Sequence, residues 1–306
     1  MSERTDRIDR ADWTGRAEAH RRRADALLAP HVERRRAGVP HPVFDFLFTY
    51  YSCRPRQLRV WHPGYGVVLD GLDDDAAQEY LTRAGYERAG AGVAVSRDYL
   101  LTRLGTVTFI ADLLAATAAR PARFGCFGMH EWAMVYRTDA VRHGAVPLRL
   151  GAAGTDAVVE SIPLRCSHFD AYRFFTEPAV ARNARPLTRQ TQIAEEQPGC
   201  VHAGMDLYKW AFKLGPLIES SLLLDCFELA SEARVLDMRA SPYDLRDFGF
   251  TPIAVETADG RREYATAQES LSVRAAPLRE RLLRACVALR DAGRRSGPGI
   301  SVFTGG

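Results

Sequence analysis

Apolar positions at the start of the chain repeat at helical spacing. Ala17, Ala24, Leu27 and Leu28 form one stripe, with the Arg21–Arg23 and Arg34–Arg36 runs elsewhere, which predicts a helix from Ala11 to about Gly38, continuous or divided at Pro30. His41-Pro42 opens an aromatic-rich helix through Phe44, Phe46, Leu47, Phe48, Tyr50 and Tyr51, with Pro42 suited to a first helical position. A short helix from Pro55 ends near Trp61, and His62-Pro63-Gly64 turns the chain into a strand at Val67–Leu69. Asp73–Asp75 begin a helix to about Arg83, where negative charge suits the dipole. A Gly-rich hairpin follows, and Ser96 then caps a long apolar helix that ends near Ala119, before Pro121.

Downstream, helices are predicted near 128–137 and from Ser167 to Phe175, with strand-like residues at 146–150 and a Pro-, Arg- and Gln-rich loop over 176–199. Two more helices cover 203–214 and 220–239, and a last one runs from about Ala267 to Ala292. Ala258-Asp259-Gly260, between two β-compatible runs, predicts a hairpin around Pro252–Tyr264. The expected fold is α+β, a mainly α-helical single domain with small β-hairpins. It divides into an Arg-rich N-terminal helical segment (1–40), a mainly helical catalytic domain (41–293) and a flexible tail (294–306).

With 46% apolar and 26% charged residues among 306, the chain is neither disordered, collagen-like nor a disulfide scaffold. Its net charge of +3 falls well short of the dense positive field of a dedicated nucleic-acid binder. The basic residues are 39 Arg and only two Lys, Lys209 and Lys213. No run of eighteen apolar residues is present and the N-terminus is charged, so no membrane partner and a cytoplasmic location are expected. Cysteines 53, 126, 166, 200, 226 and 286 contain no Cys-x-x-Cys pair and read as free thiols.

The helix after Cys200 carries His202, Asp206, Lys209 and Lys213 at i, i+4, i+7 and i+11, one face, while Leu207, Trp210, Ala211 and Leu214 occupy another. This stripe reads either as an ion-pair face, with Asp206 and Lys209 at i+3, or as catalytic. In the second reading Asp206 is a general base or charge stabiliser whose pKa a neighbouring lysine lowers. Cys126, His130 and Glu131 form a second group. Adjacent residues point different ways on a helix, so only one of His130 and Glu131 is expected to face a given pocket. In Cys166-Ser167-His168-Phe169-Asp170, Ser167 and Asp170 have capping spacing, and Ser241, Pro242 and Asp244 resemble another helix start.

His130, His168 and His202 each have a carboxylate within four residues and a Cys two or four residues upstream. Three such imidazoles suit an open metal site for zinc or non-haem iron. Dinucleotide, phosphate-loop and Gly-x-Ser-x-Gly motifs are absent. Aromatics near these segments, among them Tyr50, Tyr51, Trp132 and Tyr208, are core candidates of which a subset can stack on a planar base.

Phe48-Thr-Tyr50-Tyr51-Ser52, Arg54-Pro55 and Trp61-His62-Pro63-Gly64 carry a family resemblance. It continues in Phe124 through Trp132, Cys166 through Asp170, Gln197 through Trp210 and Asp237 through Asp244. At these segments the chain resembles an actinobacterial family labelled 3-methyladenine DNA glycosylase. The resemblance implies removal of alkylated purines from DNA, with DNA or a nucleobase-like small molecule as partner. Such chemistry needs a flipped base between aromatic faces and a carboxylate that stabilises oxocarbenium character, for which Asp206 or Glu131 is suited, with Lys209 as electrostatic partner. The alternatives are a metal-dependent enzyme, such as an oxygenase on a small molecule with His130, His168 and His202 as ligands, and a nucleic-acid-binding protein using the first helix without catalysis.

Overall fold

The computed structural model describes residues 6–139 and 145–295. The first strand, β1 (Asp6–Ile8), leads to Asp9, whose carboxylate accepts the Asp12 amide and opens α1 (Arg10–Arg36). The helix runs unbroken through Pro30, although proline removes one donor from the ladder. Packing on both sides holds it: Ala24 and Leu28 are buried before Pro30, and His31 stacks on Phe48 at 3.9 Å just beyond.

The expected aromatic helix makes only one turn, α2 (Phe46–Thr49), because the chain leaves helical geometry at Ser52, with φ 54°. After α3 (Pro55–Leu58) come β2 (Val67–Leu69), α4 (Asp74–Leu81), and the predicted hairpin of β3 (Tyr86–Ala89) and β4 (Gly92–Val95). The sheet order is β1-β2-β4-β3, with β1 parallel to β2 and the other pairs antiparallel. Ser96 caps α5 (Arg97–Ala118) by accepting the Tyr99 amide, as expected.

The next segment differs most from expectation. The expected helix over 128–137 is a single turn, α6 (Met129–Ala133), and 146–150 yields only a bridge between Leu148 and Tyr243. An unexpected helix, α7 (Gly151–Ser161), follows; its Gly- and Ala-rich opening carries too few apolar residues to show a period. α8 (Phe169–Tyr172) is capped not by Ser167 but by His168, whose Nδ1 accepts the Ala171 amide at 3.2 Å. The 176–199 loop contains α9 (Glu177–Val180) and α10 (Gln192–Glu195). Ser241 likewise starts no helix; its hydroxyl donates to Met238 O in a buried turn.

α11 (Val201–Leu214) and α12 (Ser220–Arg239) match their predicted bounds closely. The hairpin expected around Pro252–Tyr264 is instead the start of α13 (Ala258–Arg294). Thr257 Oγ1 accepts the Gly260 amide at 3.0 Å, a cap worth about 1 kcal/mol. Gly260 serves close approach rather than a β-turn, since a Cβ there would lie 2.0 Å from the Ala254 carbonyl oxygen.

The fold is thus mainly α with a small four-stranded sheet, as the pattern predicts. α11 packs along α12, and α13 covers both while lying against α5. Trp13, Ala24 and Leu28 of α1 join the same core, so the N-terminal helix belongs to this body. α5 is long and apolar enough to cross a membrane, and its Leu100, Val107, Ile110, Leu113 and Leu114 are buried in the fold. Of the expected tail, Arg294 and Arg295 end α13, and 296–306 lie outside the described residues.

Candidate metal centre and its buried charge network

α6, α8, α11 and α12 bring three imidazoles into a row. The His130 and His202 rings stand 4.1 Å apart edge to face, and His202 and His168 stack at 5.3 Å. Around this row are carboxylates and cations that are almost wholly buried, an arrangement that costs energy unless each charge is paired. The row separates two sets of partners.

On one side, Arg234 of α12 reaches both Glu131 Oε1 (2.7 Å) and Asp237 Oδ2 (3.0 Å) through Nη1, with its guanidinium 4.2 Å from the Phe46 ring centre. Asp237 in turn approaches His130 Nε2 at 3.1 Å through Oδ1 and His202 Nε2 at 3.9 Å through Oδ2. His130 and Glu131 join one network, with 3.8 Å between Nε2 and Oε1, yet each faces a different space, as expected: His130 lines a cavity with Cys126 and Cys166, and Glu131 a cleft with Tyr50 and Tyr51. A single-turn helix capped by left-handed Gly128 lets both neighbours reach the same arginine-bearing face of α12.

This set is incompletely satisfied. Asp237 Oδ1, Glu131 Oε2, and Arg234 Nε and Nη2 are buried without an aligned hydrogen bond among the described residues. Burial opposes charge on His130, but Asp237 and then Glu131 outweigh it and raise the imidazole to about 9. Burial, helped by the positive charge of His130, instead lowers His202 to about 3 and keeps it neutral. One ring nitrogen of each of His130 and His202 and a carboxylate oxygen of Asp237 all lie within 4.8 Å of one another.

On the other side, Lys209 Nζ bridges Asp170 Oδ2 (2.5 Å) and Asp206 Oδ2 (2.7 Å). Arg189 donates to Asp170 Oδ1 at 2.6 Å, and Tyr51 donates its phenol proton to Asp206 Oδ1 at 3.2 Å. Burial alone would raise Asp206, but the Lys209 charge dominates and holds it well below the carboxylate range; Asp206 and Asp170 likewise hold Lys209 charged. The predicted helical stripe is real: His202, Asp206 and Lys209 all join the buried network, whereas Lys213 is exposed above the Trp210 ring.

His168 belongs to this second set. Its Nδ1 accepts a backbone amide, so the proton of the neutral ring sits on Nε2, 3.3 Å from Asp206 and 3.6 Å from Glu196. A metal at Nε2 would require that proton to move to an Nδ1 already engaged; the donors that could share one ion among the described residues are His130, His202 and Asp237. Asp237 entered the sequence reading only as the start of a resemblance segment and not as a site residue, and Arg234 did not enter it. The available signal was a pair of charges at i, i+3 within the mostly apolar α12.

His130 and His202 open onto a cavity of about 380 Å³ that also meets Cys126, Cys166 and Cys200, with Arg123, Arg165 and Arg185 on its wall. A second cleft, near 30 Å³, lies between Tyr50, Tyr51, Asp206 and Glu131, room for a water or two. Trp132 and Tyr208 are fully buried and line neither space; the Trp132 indole donates to the Ala240 carbonyl at 2.8 Å. Burial pushes the Cys166 thiol up to about 12, so it is no free thiolate nucleophile. In the Arg-rich first helix, Arg23 is engaged with Asp225 (2.7 Å) and Glu228 (2.8 Å), while Arg21 and Arg22 face solvent.

Comparison of the chain with protein-family models, with curated proteins and with solved structures finds no match.

Proposed function

We propose that this protein is a metal-dependent enzyme acting on a small molecule, with His130, His202 and Asp237 holding a divalent iron or zinc ion. The observation that carries this reading is one donor set: two imidazole nitrogens and a carboxylate oxygen, mutually within 4.8 Å, beside a cavity of about 380 Å³. Ligands about 2.1 Å from one ion lie roughly 3.0–3.4 Å apart in octahedral or tetrahedral geometry. Asp237 Oδ2 stands 3.2 Å from His130 Nε2 and 3.9 Å from His202 Nε2, within that span and somewhat beyond it. Two histidines and one carboxylate leave coordination positions open, the pattern of non-haem iron and of catalytic zinc sites.

Within the site, Arg234 donates to Asp237 and is itself held by Glu131, outer partners whose role supports metal affinity. Asp237 Oδ1, 3.1 Å from His130 Nε2 but without an aligned hydrogen bond, is the oxygen freer to turn toward a cation. The cavity lies at the small end of ligand-site volumes, which favours a small substrate. Elemental analysis of tag-free protein tests the reading: about one iron or zinc per chain is expected, lost in His202→Ala. Metal-free protein after purification and after exposure to either ion would overturn it.

The second reading is the N-glycosylase, favoured by one observation: Asp206 is held ionised within reach of Tyr50 and Tyr51. A cleft of about 30 Å³ must open before it admits a purine. Release of bases from alkylated DNA, abolished in Asp206→Asn, would favour this reading. DNA binding that weakens with salt but releases no base would favour a non-catalytic nucleic-acid binder using the first helix.

A further inference from the structure

Three of the six cysteines are gathered by the fold, although no two are close in sequence. Cys126 precedes α6, Cys166 precedes α8, and Cys200 stands at the N-cap of α11. All three line the cavity of about 380 Å³, whereas Cys53, Cys226 and Cys286 are buried in the apolar core. None forms a disulfide.

Burial raises these thiols, so anionic sulfur forms here only when a metal replaces the proton, and nearby groups would then bear on its charge. Gln268 Nε2 lies 3.3 Å from Cys126 Sγ, giving that sulfur a side-chain N–H from a fully buried amide. Cys200 lies at the positive end of the fourteen-residue α11. Arg123, Arg165 and Arg185 line the same cavity from its exposed rim, with Arg185 3.6 Å from Glu195.

Spacing separates this group from a single-ion site. Tetrahedral metal–sulfur bonds of about 2.3 Å would bring three ligating sulfurs within about 3.8 Å of one another. Among the described residues, the donor set within 4.8 Å is His130, His202 and Asp237; the sulfurs do not form one. A cluster spreads its thiolate ligands over separate irons and tolerates wider spacing.

We propose that Cys126, Cys166 and Cys200 ligate an iron–sulfur cluster in this cavity, with one iron left for a non-cysteine ligand. Each thiol gives up its proton on ligation. The soft sulfur set is chemically distinct from the nitrogen and oxygen donors of His130, His202 and Asp237, so the assignment does not rest on the metal reading above, although a bound cluster would fill part of the cavity assigned there to substrate.

The test is anaerobic reconstitution of the full chain with ferric iron, sulfide and a thiol reductant, followed by desalting. Acid-labile sulfide at about four per chain is expected, with as many irons beyond the one held by the other donor set, and with the broad visible absorption of a thiolate-bound cluster. Cys126→Ser, Cys166→Ser and Cys200→Ser should each lose it, while Cys286→Ala and Asp237→Asn keep it. Asp237→Asn would still lose the single ion of the other donor set, so the two assignments fail separately.

Because a buried Cys→Ser change can impair folding, the wild-type chain provides a second measurement. Alkylation followed by mass spectrometry should find Cys126 and Cys166 protected after reconstitution and modified more readily before it. Iron without sulfide, a cluster that survives all three serine variants, or equal alkylation in both states would overturn the proposal.

Discussion

The two sides of the histidine row contain similar residues but are satisfied to different degrees. Around Lys209, each carboxylate oxygen of Asp170 and Asp206 has a donor: Lys209 with Arg189 for one, Lys209 with Tyr51 for the other. Around Arg234, four buried polar atoms lack an aligned partner. In the Lys209 set only His168 Nε2 lacks one among the described residues; a nearly saturated network mainly stabilises, whereas several unpaired buried atoms mark where binding can be added. Lys209, distinctive in an Arg-rich sequence, therefore sits on the side that looks structural, and the less conspicuous Asp237 sits on the side open to chemistry.

Arg234→Met gives the largest expected effect. It leaves Glu131 and Asp237 buried beside each other with their shared cation removed, and breaking such a pair costs about 3–5 kcal/mol. Urea denaturation should show that loss, and Arg234→Met combined with Glu131→Gln should recover part of it. An unchanged midpoint would mean that this side is already relaxed by groups outside the network.

Lys209→Met should cost less, about 2–3 kcal/mol, because its ammonium lies nearer solvent and Arg189 remains on Asp170. Its sharper signature is retention of bound metal at the wild-type level. Loss of metal in a folded Lys209→Met protein would erase the distinction between the two sides.

The α11 stripe was legible in the sequence because helical periodicity places His202, Asp206 and Lys209 on one face without knowledge of any other segment. Its partners were not legible. Asp170, Glu196, Arg234 and Asp237 come from segments brought together only by tertiary packing, and no local spacing encodes that. The long helices followed their periodic patterns and caps. The one-turn helices α2, α6 and α8 did not, because tertiary packing and the left-handed residues Ser52 and Gly128 decide where they stop or start. His168 illustrates both limits: its place near His202 was anticipated, but its capping role, which commits Nδ1, appears only in the fold.

Acid titration distinguishes the sides at a smaller scale. Asp206 and Asp170 are lowered from 3.8, opposed by burial but driven mainly by Lys209. A carboxylate with a depressed folded pKa contributes stability that is full above its unfolded value and lost as pH falls toward the folded one. Stability should therefore decline below about pH 4, by up to about 1.4 kcal/mol per pH unit for each group. Lys209→Met should flatten this decline in denaturation curves at pH 5, 4 and 3. An equally steep decline in the variant would assign the acid sensitivity to other carboxylates.

Asp237→Asn should change stability least and binding most. The amide keeps the shape, removes a negative charge beside Glu131, and leaves Arg234 its bond to Glu131; against this stands the lost attraction to His130. These effects oppose one another, so the net change is expected to stay within about 1 kcal/mol. As a metal ligand, however, Asp237 should matter more than the outer partners, whose loss costs about 10–100-fold in affinity, so a weakening beyond about 100-fold is expected. Competition against a metal-sensitive dye reads that affinity directly. A stable Asp237→Asn protein that binds iron or zinc as tightly as wild type would make Asp237 a counter-ion of Arg234 and His130, and the Arg234 side would then be as structural as the Lys209 side.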